Sequence, residues 1–387
     1  MRYLRFLGTV AFGRSFQPVK SELNNRTSPY PTVLGSPAYI ISSYKRNMSG
    51  DSPVTKKPCG EKLIGTHNGT FHCDEVLACF LVKQLPEYQD AKIVRTRDPA
   101  ILSTCDVVVD VGGVFDAASH RYDHHQRTFK ETMSSLCPDK QWQTKLSSAG
   151  LVYFHFGKSI IAQLLKKSQE DPITSSIFDK VYENFVEEID AIDNGISQTD
   201  GVPRYHISTT LSSRVSYLNP AWNQGNVDTD TRFHKAMEMV GAEFLDRVSY
   251  YTDSWLPART LVEKALAGRF KVDDSGEILV LEEGGCPWKD HLFTLEQEQN
   301  IQPLIKFVLY QDQNNHWRVQ CVSVRLGSFE NRLSLLEAWR GVRDDELSKL
   351  SGIPDCIFVH AGGFIGGNKT YEGALKMAQR TLKEATA

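Results

Sequence analysis

The chain has 387 residues and a formal net charge of −3, from 44 Lys and Arg against 47 Asp and Glu. That length suits two folded domains with a tail, and the slight acidity argues against a broad basic field for long nucleic acid, so a nucleic-acid partner would be short, single-stranded or held by a local patch. No apolar run approaches the ~18 residues of a membrane span, and none of the eight Cys forms a C-x-x-C pair, which argues against a zinc ribbon or thioredoxin motif and for reduced thiols.

The first fifty residues hold seven basic side chains (Arg2, Arg5, Arg14, Lys20, Arg26, Lys45, Arg46), seven Ser and one acid, Glu22. Basic, Ser-rich and acid-poor is the composition of a mitochondrial transit peptide, and the apolar stretch is too short and Arg-broken for a secretory signal. Residues 20–60, rich in Ser, Pro, Asn and Lys, read as a linker, so residues 1–58 are expected to be a targeting segment and linker, largely disordered. Lys56-Lys57-Pro58 is a weak basic signal suited to the nucleus.

Order is expected from about Glu61. KLIGTH reads as a strand, NGTFHCDE as a loop, EVLACFLVKQL as a buried helix, and AKIVRT and CDVVVDVGG as two more strands. Strand, helix and strand in so short a span indicate a βαβ unit and a parallel sheet, whose ligands lie at the carboxyl ends of the strands. His67 and Asp110 both fall at such ends. SAGLVYFHFGKSIIAQLLKK and DKVYENFVEEIDAIDNG are periodic helices, and residues 229–266 read as one or two more, interrupted at Pro257. After a boundary near 250–257 the texture changes. EILVLEE, LIKFVLYQD and HWRVQCVSV alternate like antiparallel strands, CIFVHAGGFIGG reads as a strand running into a glycine-rich loop, and TYEGALKMAQRTLKEA is a final helix. The predicted architecture is α/β: a parallel-sheet catalytic domain over 60–255 and a smaller α+β substrate-binding domain over 256–387.

Five of the eleven His, namely His67, His72, His120, His124 and His125, lie between residues 67 and 125, interspersed with Asp74, Asp110 and Asp123. Asp110 ends an all-apolar strand, where an unpaired carboxylate is costly. A cation removes that cost, and imidazole with carboxylate but no thiolate suits Mn²⁺, with Mg²⁺ as the other option. Six or seven ligands exceed one coordination sphere, so two ions are expected, the arrangement used for in-line displacement at phosphorus.

The ordered set GTHNGTFHCDE, RTRDP, VVVDVGG, HRYDHHQRTF, ETMSS, WQTKLSSAG, YENFVEEIDAIDNGIS, SWLPAR and CIFVHAGGFIGG resembles the melanocyte-proliferating-gene exonuclease family, within the DHH phosphoesterase superfamily. The likeness runs from about Gly65 to the C-terminal helix. It implies a DHH-type catalytic domain, 3′-to-5′ exoribonuclease activity on single-stranded RNA or short oligonucleotides, and mitochondrial (matrix) and nuclear locations. It also implies roles. Asp110 would bridge two metals, His67 and His72 would complete one shell, and Asp74, His124 and a later Asp would hold the other. His125 would face the scissile phosphate and Asp123 would orient the histidine pair. Most superfamily members carry H-x3-D-x-D in the first motif. Here a His replaces an Asp and one residue is inserted, which bears on the shell of one metal and on its preferred ion.

The later Asp is Asp190 or Asp193. A helical wheel puts Asp193 nearer the apolar face of Tyr182, Phe185, Val186, Ile189 and Ile192, so Asp193 is the expected ligand and Asp190 a boundary or solvent-facing residue. In superfamily members a glycine-rich C-terminal segment grips the substrate's phosphate or terminal nucleotide. His360, Gly362, Gly363, Gly366 and Gly367 would do so here, with backbone N–H groups and the next helix's positive end, helped by Arg340 and Arg343 and, more loosely, Trp339, Trp288 and Lys289.

The alternative reading is a small-molecule phosphoesterase, either a pyrophosphatase or an enzyme for short or cyclic oligonucleotides. It is favoured by the charge of roughly −9 left when the +6 of residues 1–50 is removed from −3. A binding protein that kept the fold without catalysis is the third, opposed by the complete set of metal-type residues. Residues 1–50 fused to a fluorescent reporter should enter mitochondria; a diffuse cytosolic signal would contradict the transit reading.

Overall fold

The computed structural model describes residues 60–225 and 227–385; the expected targeting segment lies outside the described residues. The chain begins with β1 (Leu63–Thr66), α1 (Cys73–Lys83), β2 (Lys92–Arg95), α2 (Pro99–Leu102) and β3 (Val107–Val109), followed by a small hairpin of β4 (Phe115–Asp116) and β5 (Arg121–Tyr122). These five strands form one sheet in the order β2-β1-β3-β5-β4. β1 runs parallel to β2 and β3, and β3 parallel to β5, with β4 an antiparallel edge. The expected parallel α/β sheet is therefore present, extended by two short strands absent from the sequence-based reading.

One face of this sheet carries the main core. Ile64, Val107, Val109 and Tyr122 are fully buried there with Val76, Leu77, Leu81, Val152 and Phe244. Opposite, Val108 packs with Leu102 and Cys105 beneath the short α2. Helix α1 is buried almost all round, as a helix between a sheet and further helices must be. Its covering partners are α4 (Ser148–Leu165) and α8 (Thr229–Tyr250); the short α3 (Met133–Leu136) precedes α4, and α5 (Pro172–Val181), α6 (Glu187–Asp193) and α7 (Leu211–Ser216) lie between α4 and α8 in the chain.

Two π-helical turns matter. One, Tyr182–Val186, joins α5 to α6; the other, Tyr251–Trp255, joins α8 to α9 (Leu256–Val272). Pro257 does not interrupt the second helix pair, because it sits in the first turn of α9, where its missing N–H is harmless. From α9 the chain enters a second sheet of β6 (Ile278–Leu281), β7 (Phe307–Gln311), β8 (Trp317–Cys321), β9 (Cys356–Val359) and β10 (Ile365–Asn368), with α10 (Trp288–Glu298), α11 (Asp344–Ser351) and α12 (Tyr371–Ala385). Its order is β6-β7-β8-β10-β9. The pairs are antiparallel as expected, except β6 with β7, which are parallel across α10.

The glycine-rich segment departs from expectation. It is a hairpin between β9 and β10, and α12 starts only at Tyr371. Gly366 and Gly367 lie inside β10, paired on both edges. A Cβ on Gly366 would press on Leu335 and Met377, and one on Gly367 on Arg318 and Phe358. In the turn, the N–H of Gly362 donates to His360 Nδ1 at 3.0 Å and that of Gly363 to the His360 carbonyl at 2.8 Å. These N–H groups are engaged, so an anion cradle at Gly362, Gly363, Gly366 and Gly367 is corrected to a turn and close strand packing. Trp339 and Trp288 are buried core residues, not stacking faces. His360, Arg340 and Arg343 stay exposed around that turn.

Candidate metal centre

Three parallel strands deliver the site. His67 follows β1, Asp110 follows β3, and Asp123-His124-His125 follows β5, so all leave the sheet at its carboxyl edge. The hairpin of β4 and β5 gives the tripeptide this position, since its register pairs Tyr122 with Val109. Asp110 adopts the left-handed backbone region, with φ of 57°, a conformation Asp tolerates better than most side chains. Its N–H donates to the Tyr122 carbonyl at 3.0 Å, which ties the turn after β3 to the turn after β5.

The Asp110 carboxylate faces two ways. Oδ2 lies 3.3 Å from His67 Nε2, while Oδ1 lies 3.3 Å from His124 Nε2 and 3.4 Å from His125 Nδ1. Ser148, at the start of α4, donates to Oδ1 at 3.1 Å. His124 Nε2 also lies 3.1 Å from Asp193 Oδ2 and 3.9 Å from Asp74 Oδ2. His67 Nε2 lies 3.1 Å from Glu75 Oε1. Three groups emerge with donor atoms within 4.8 Å of one another: His67, His72, Glu75 and Asp110; Asp110, His124 and His125; His72, Asp74 and Asp193. Asp110 is common to the first two, as a bridging ligand would be, and His72 to the first and third. The division between two shells implied by the family resemblance therefore differs at His72, which reaches Asp74 and Asp193 as well as His67.

Glu75 was not foreseen. It sits in the first turn of α1, where its carboxylate accepts from the His72 N–H at 2.8 Å and 3.0 Å and favours the helix's positive end. Its signal was a second acid beside Asp74 at the head of an apolar helix. Asn194 was also missed; its Oδ1 lies 3.3 Å from His124 Nδ1, and its Nδ2 donates to the Lys145 carbonyl. His120, part of the sequence cluster, points elsewhere, with Nδ1 3.2 Å from the Tyr122 hydroxyl and its ring beside His155 and Phe156.

Charge at this site is out of balance. Asp74, Glu75 and Asp110 are buried with Asp193 close by, whose side chain is only 18% exposed. Burial, reinforced by Asp110, Asp193 and Glu75, pushes the Asp74 carboxyl well above its usual range. Burial works against charge on His67 and His124, yet the carboxylates outweigh it: Asp110 and Glu75 push His67 up to about 10, and Asp110 and Asp193 push His124 up to about 9. Against its own burial, Asp110 is held below the usual carboxylate range by His124 and His67. Both Asp74 oxygens are buried without a hydrogen bond. Such a carboxylate costs several kcal/mol unless a cation meets it. The orphaned atoms, and an oxygen and imidazole donor set, fit divalent ions of the Mn²⁺ type.

Asp123 supports this set from outside. Its Oδ2 accepts from the Gly113 N–H at 2.6 Å, and its Oδ1 accepts from the His125 N–H at 2.9 Å and the ring Nδ1 at 2.8 Å. The His125 ring is thereby fixed, with a side chain 63% exposed.

Asp190 is corrected. It is neither at a boundary nor solvent-facing: it is fully buried. Oδ1 accepts from the Ser147 N–H and hydroxyl and the Gly150 N–H, and Oδ2 from the Tyr182 hydroxyl. A Cβ on Gly150 would fall 2.4 Å from this carboxylate, so glycine is required for α4 to approach α6. The wheel misplaced Asp190 because the π turn at Tyr182–Val186 adds a residue to the helical phase; Ile192, assigned to the apolar face, is exposed.

With this geometry in place, relatives become informative. A family model named MYG1_exonuc, described as an uncharacterised protein family (UPF0160), matches residues 63–382. The chain belongs to the MYG1 exonuclease family. It is 61% identical over 362 residues to the Mus musculus "MYG1 exonuclease", covering 92% of this chain and 95% of the relative. The Homo sapiens "MYG1 exonuclease" is 61% identical over 322 residues, 83% of this chain and 86% of the relative. A "MYG1 protein" of Saccharomyces cerevisiae is 43% identical, covering 83% and 96%. No solved structure matches the chain.

For this MYG1-family site the two helix acids should separate experimentally. Asp190→Ala strips the partner from four buried donors and should lower stability by about 3 kcal/mol. Burial pushes the Asp190 carboxyl up to about 7, so the near-isosteric Asp190→Asn, which resembles the protonated form, should melt closer to wild type. Asp193→Ala should melt near wild type in chelator but bind less Mn²⁺. Equal Mn²⁺ binding by Asp193→Ala and wild type, measured by equilibrium dialysis, would remove Asp193 from the site.

Proposed function

We propose that the chain is a metal-dependent phosphodiesterase of the DHH type, acting as a 3′-to-5′ exoribonuclease on single-stranded RNA. The observation that carries this reading is the two-sided Asp110 carboxylate, set between His67 and His124 with unpartnered acid beside it. His67, His72, Glu75, Asp74, Asp110, His124 and Asp193 would hold two divalent ions, and the names of the relatives point to nucleic acid as the substrate. Such ions stabilise charge developing on a phosphoryl group and lower the pKa of an attacking water.

The chain's own residues do the positioning. Asp123 holds the His125 ring through Nδ1, which leaves Nε2 turned away from Asp123. This pairing, against partial burial, raises the His125 pKa. The protonated ring can then donate to a phosphate oxygen in the charge-assisted manner. Asn194 and Asp193 orient His124 through its two nitrogens. The exposed His360, Arg340 and Arg343 are the C-terminal groups offered to meet the end of a strand. Mitochondrial and nuclear locations belong to the same proposal and rest on the basic, acid-poor segment before residue 50 and on Lys56-Lys57-Pro58.

The test is product length on a 3′-to-5′ RNA ladder, made with pure protein and Mn²⁺. Progressive shortening of a 5′-labelled single-stranded RNA is expected. Clearance of pyrophosphate or dinucleotides with no shortening of the longer strand would instead establish the small-molecule reading favoured by the acidic charge. Asp110→Asn, whose side chain suits the same left-handed backbone, should keep the fold and lose activity by about a thousandfold; full activity would remove Asp110 from the mechanism.

A further inference from the structure

Between the end of α6 and the start of α8 runs a long connection, residues 194–228, in which α7 is the only helix among the described residues. Connections of this length in an ordered domain are usually functional. It leaves the site at Asp193 and Asn194 and returns to it at the turn Asn219–Gln224. There Asn219 grips Phe71, the neighbour of His72, from both sides: Oδ1 accepts from the Phe71 N–H at 2.9 Å and Nδ2 donates to the Phe71 carbonyl at 2.8 Å.

The turn itself is braced. Gln224 Oε1 accepts from the Ala221 N–H at 3.1 Å and from Arg232 at 3.3 Å, and the Gln224 N–H donates to the Ala221 carbonyl at 2.9 Å. Arg232 also donates to the carbonyls of Leu218 and Asn219. This bracing holds up an exposed tryptophan: Trp222 is 97% exposed, with Tyr217 at 73% and Tyr205 at 74% on the same connection. A rigid turn that presents a bare indole is a waiting contact surface.

The same connection, and two turns beside the metal-site residues, carry groups suited to a polyanion bearing flat rings. Arg204 and His206 flank Tyr205. Arg97, beside Thr96, whose N–H donates to the Thr66 carbonyl next to His67, is exposed, as is Arg127, two residues beyond His125. We propose that Trp222 is a stacking post for a base of the single-stranded RNA whose end lies at the metal centre, with Arg97 and Arg127 meeting the phosphates between. This rests on the exoribonuclease reading and deepens it. Stacking on an aromatic ring suits any base and sets a minimum substrate length without selecting sequence.

The experiment measures binding without turnover: anisotropy of a labelled oligoadenylate of about a dozen nucleotides with full-length protein in EDTA. Trp222→Ala and Trp222→Leu should each bind roughly tenfold more weakly, and Trp222→Phe should recover most of the affinity. With Mn²⁺, the Ala variant should show its loss in KM more than in kcat. Equal affinity for all four proteins overturns the proposal. So does a sedimentation change from dimer to monomer in Trp222→Ala, which makes the turn a contact between copies of the chain. Aromatic-dependent binding by a wild type that releases no nucleotide upholds the stacking post and defeats the exonuclease reading. Absence of oligonucleotide binding by wild type defeats both.

Discussion

The carboxylate of Asp110 is the point on which the rest of the site depends. It stands at the end of an apolar strand, in left-handed backbone, with one oxygen toward His67 and the other toward His124. Among the described residues no Lys or Arg forms an ion pair with the cluster, and Asp74 is left with two buried oxygens and no hydrogen bond. A chain that folds with this concentration of buried acid must offset it by protonation or by cations. The histidines, raised by those same acids, mark the size of the field that a divalent ion would replace.

Around that carboxylate the fold supplies alignment. Adjacent parallel strands bring three ligand turns to one edge, and the Asp110 N–H ties the second to the third. Asp123 locks His125, Asn194 locks His124, and the buried Asp190 fastens the start of α4, where Ser148 reaches Asp110, to α6, which ends at Asp193. Such outer contacts fix ligand orientation and tune what the ligands hold.

Much of this was legible in the sequence, for physical reasons that differ by element. The continuous apolar runs of β1 and β3, and the polar residues at their ends, encode a buried parallel sheet and its ligand edge directly. The hairpin of β4 and β5 did not show, because strands of two residues carry no periodicity. Asp193 was preferred on a wheel that assumed an unbroken α-helix, and the same assumption placed Asp190 at a boundary or in solvent; a π turn is invisible to a fixed period. Glu75 escaped because a Glu at a helix start reads as a cap, which it also is. The glycines before α12 suggested an anion cradle from composition alone, whereas Gly362 and Gly363 donate within the turn and Gly366 and Gly367 are paired in the sheet.

The most direct test of the central claim is the thermal unfolding of metal-stripped, full-length protein at neutral pH, with and without Mn²⁺, alongside metal content after dialysis. Two ions per chain and a melting temperature raised on loading are expected, with about 4 kcal/mol of stabilisation per site when free Mn²⁺ is a thousandfold above its Kd. A stripped chain that melts at the same temperature with Mn²⁺ and retains none after dialysis would contradict it.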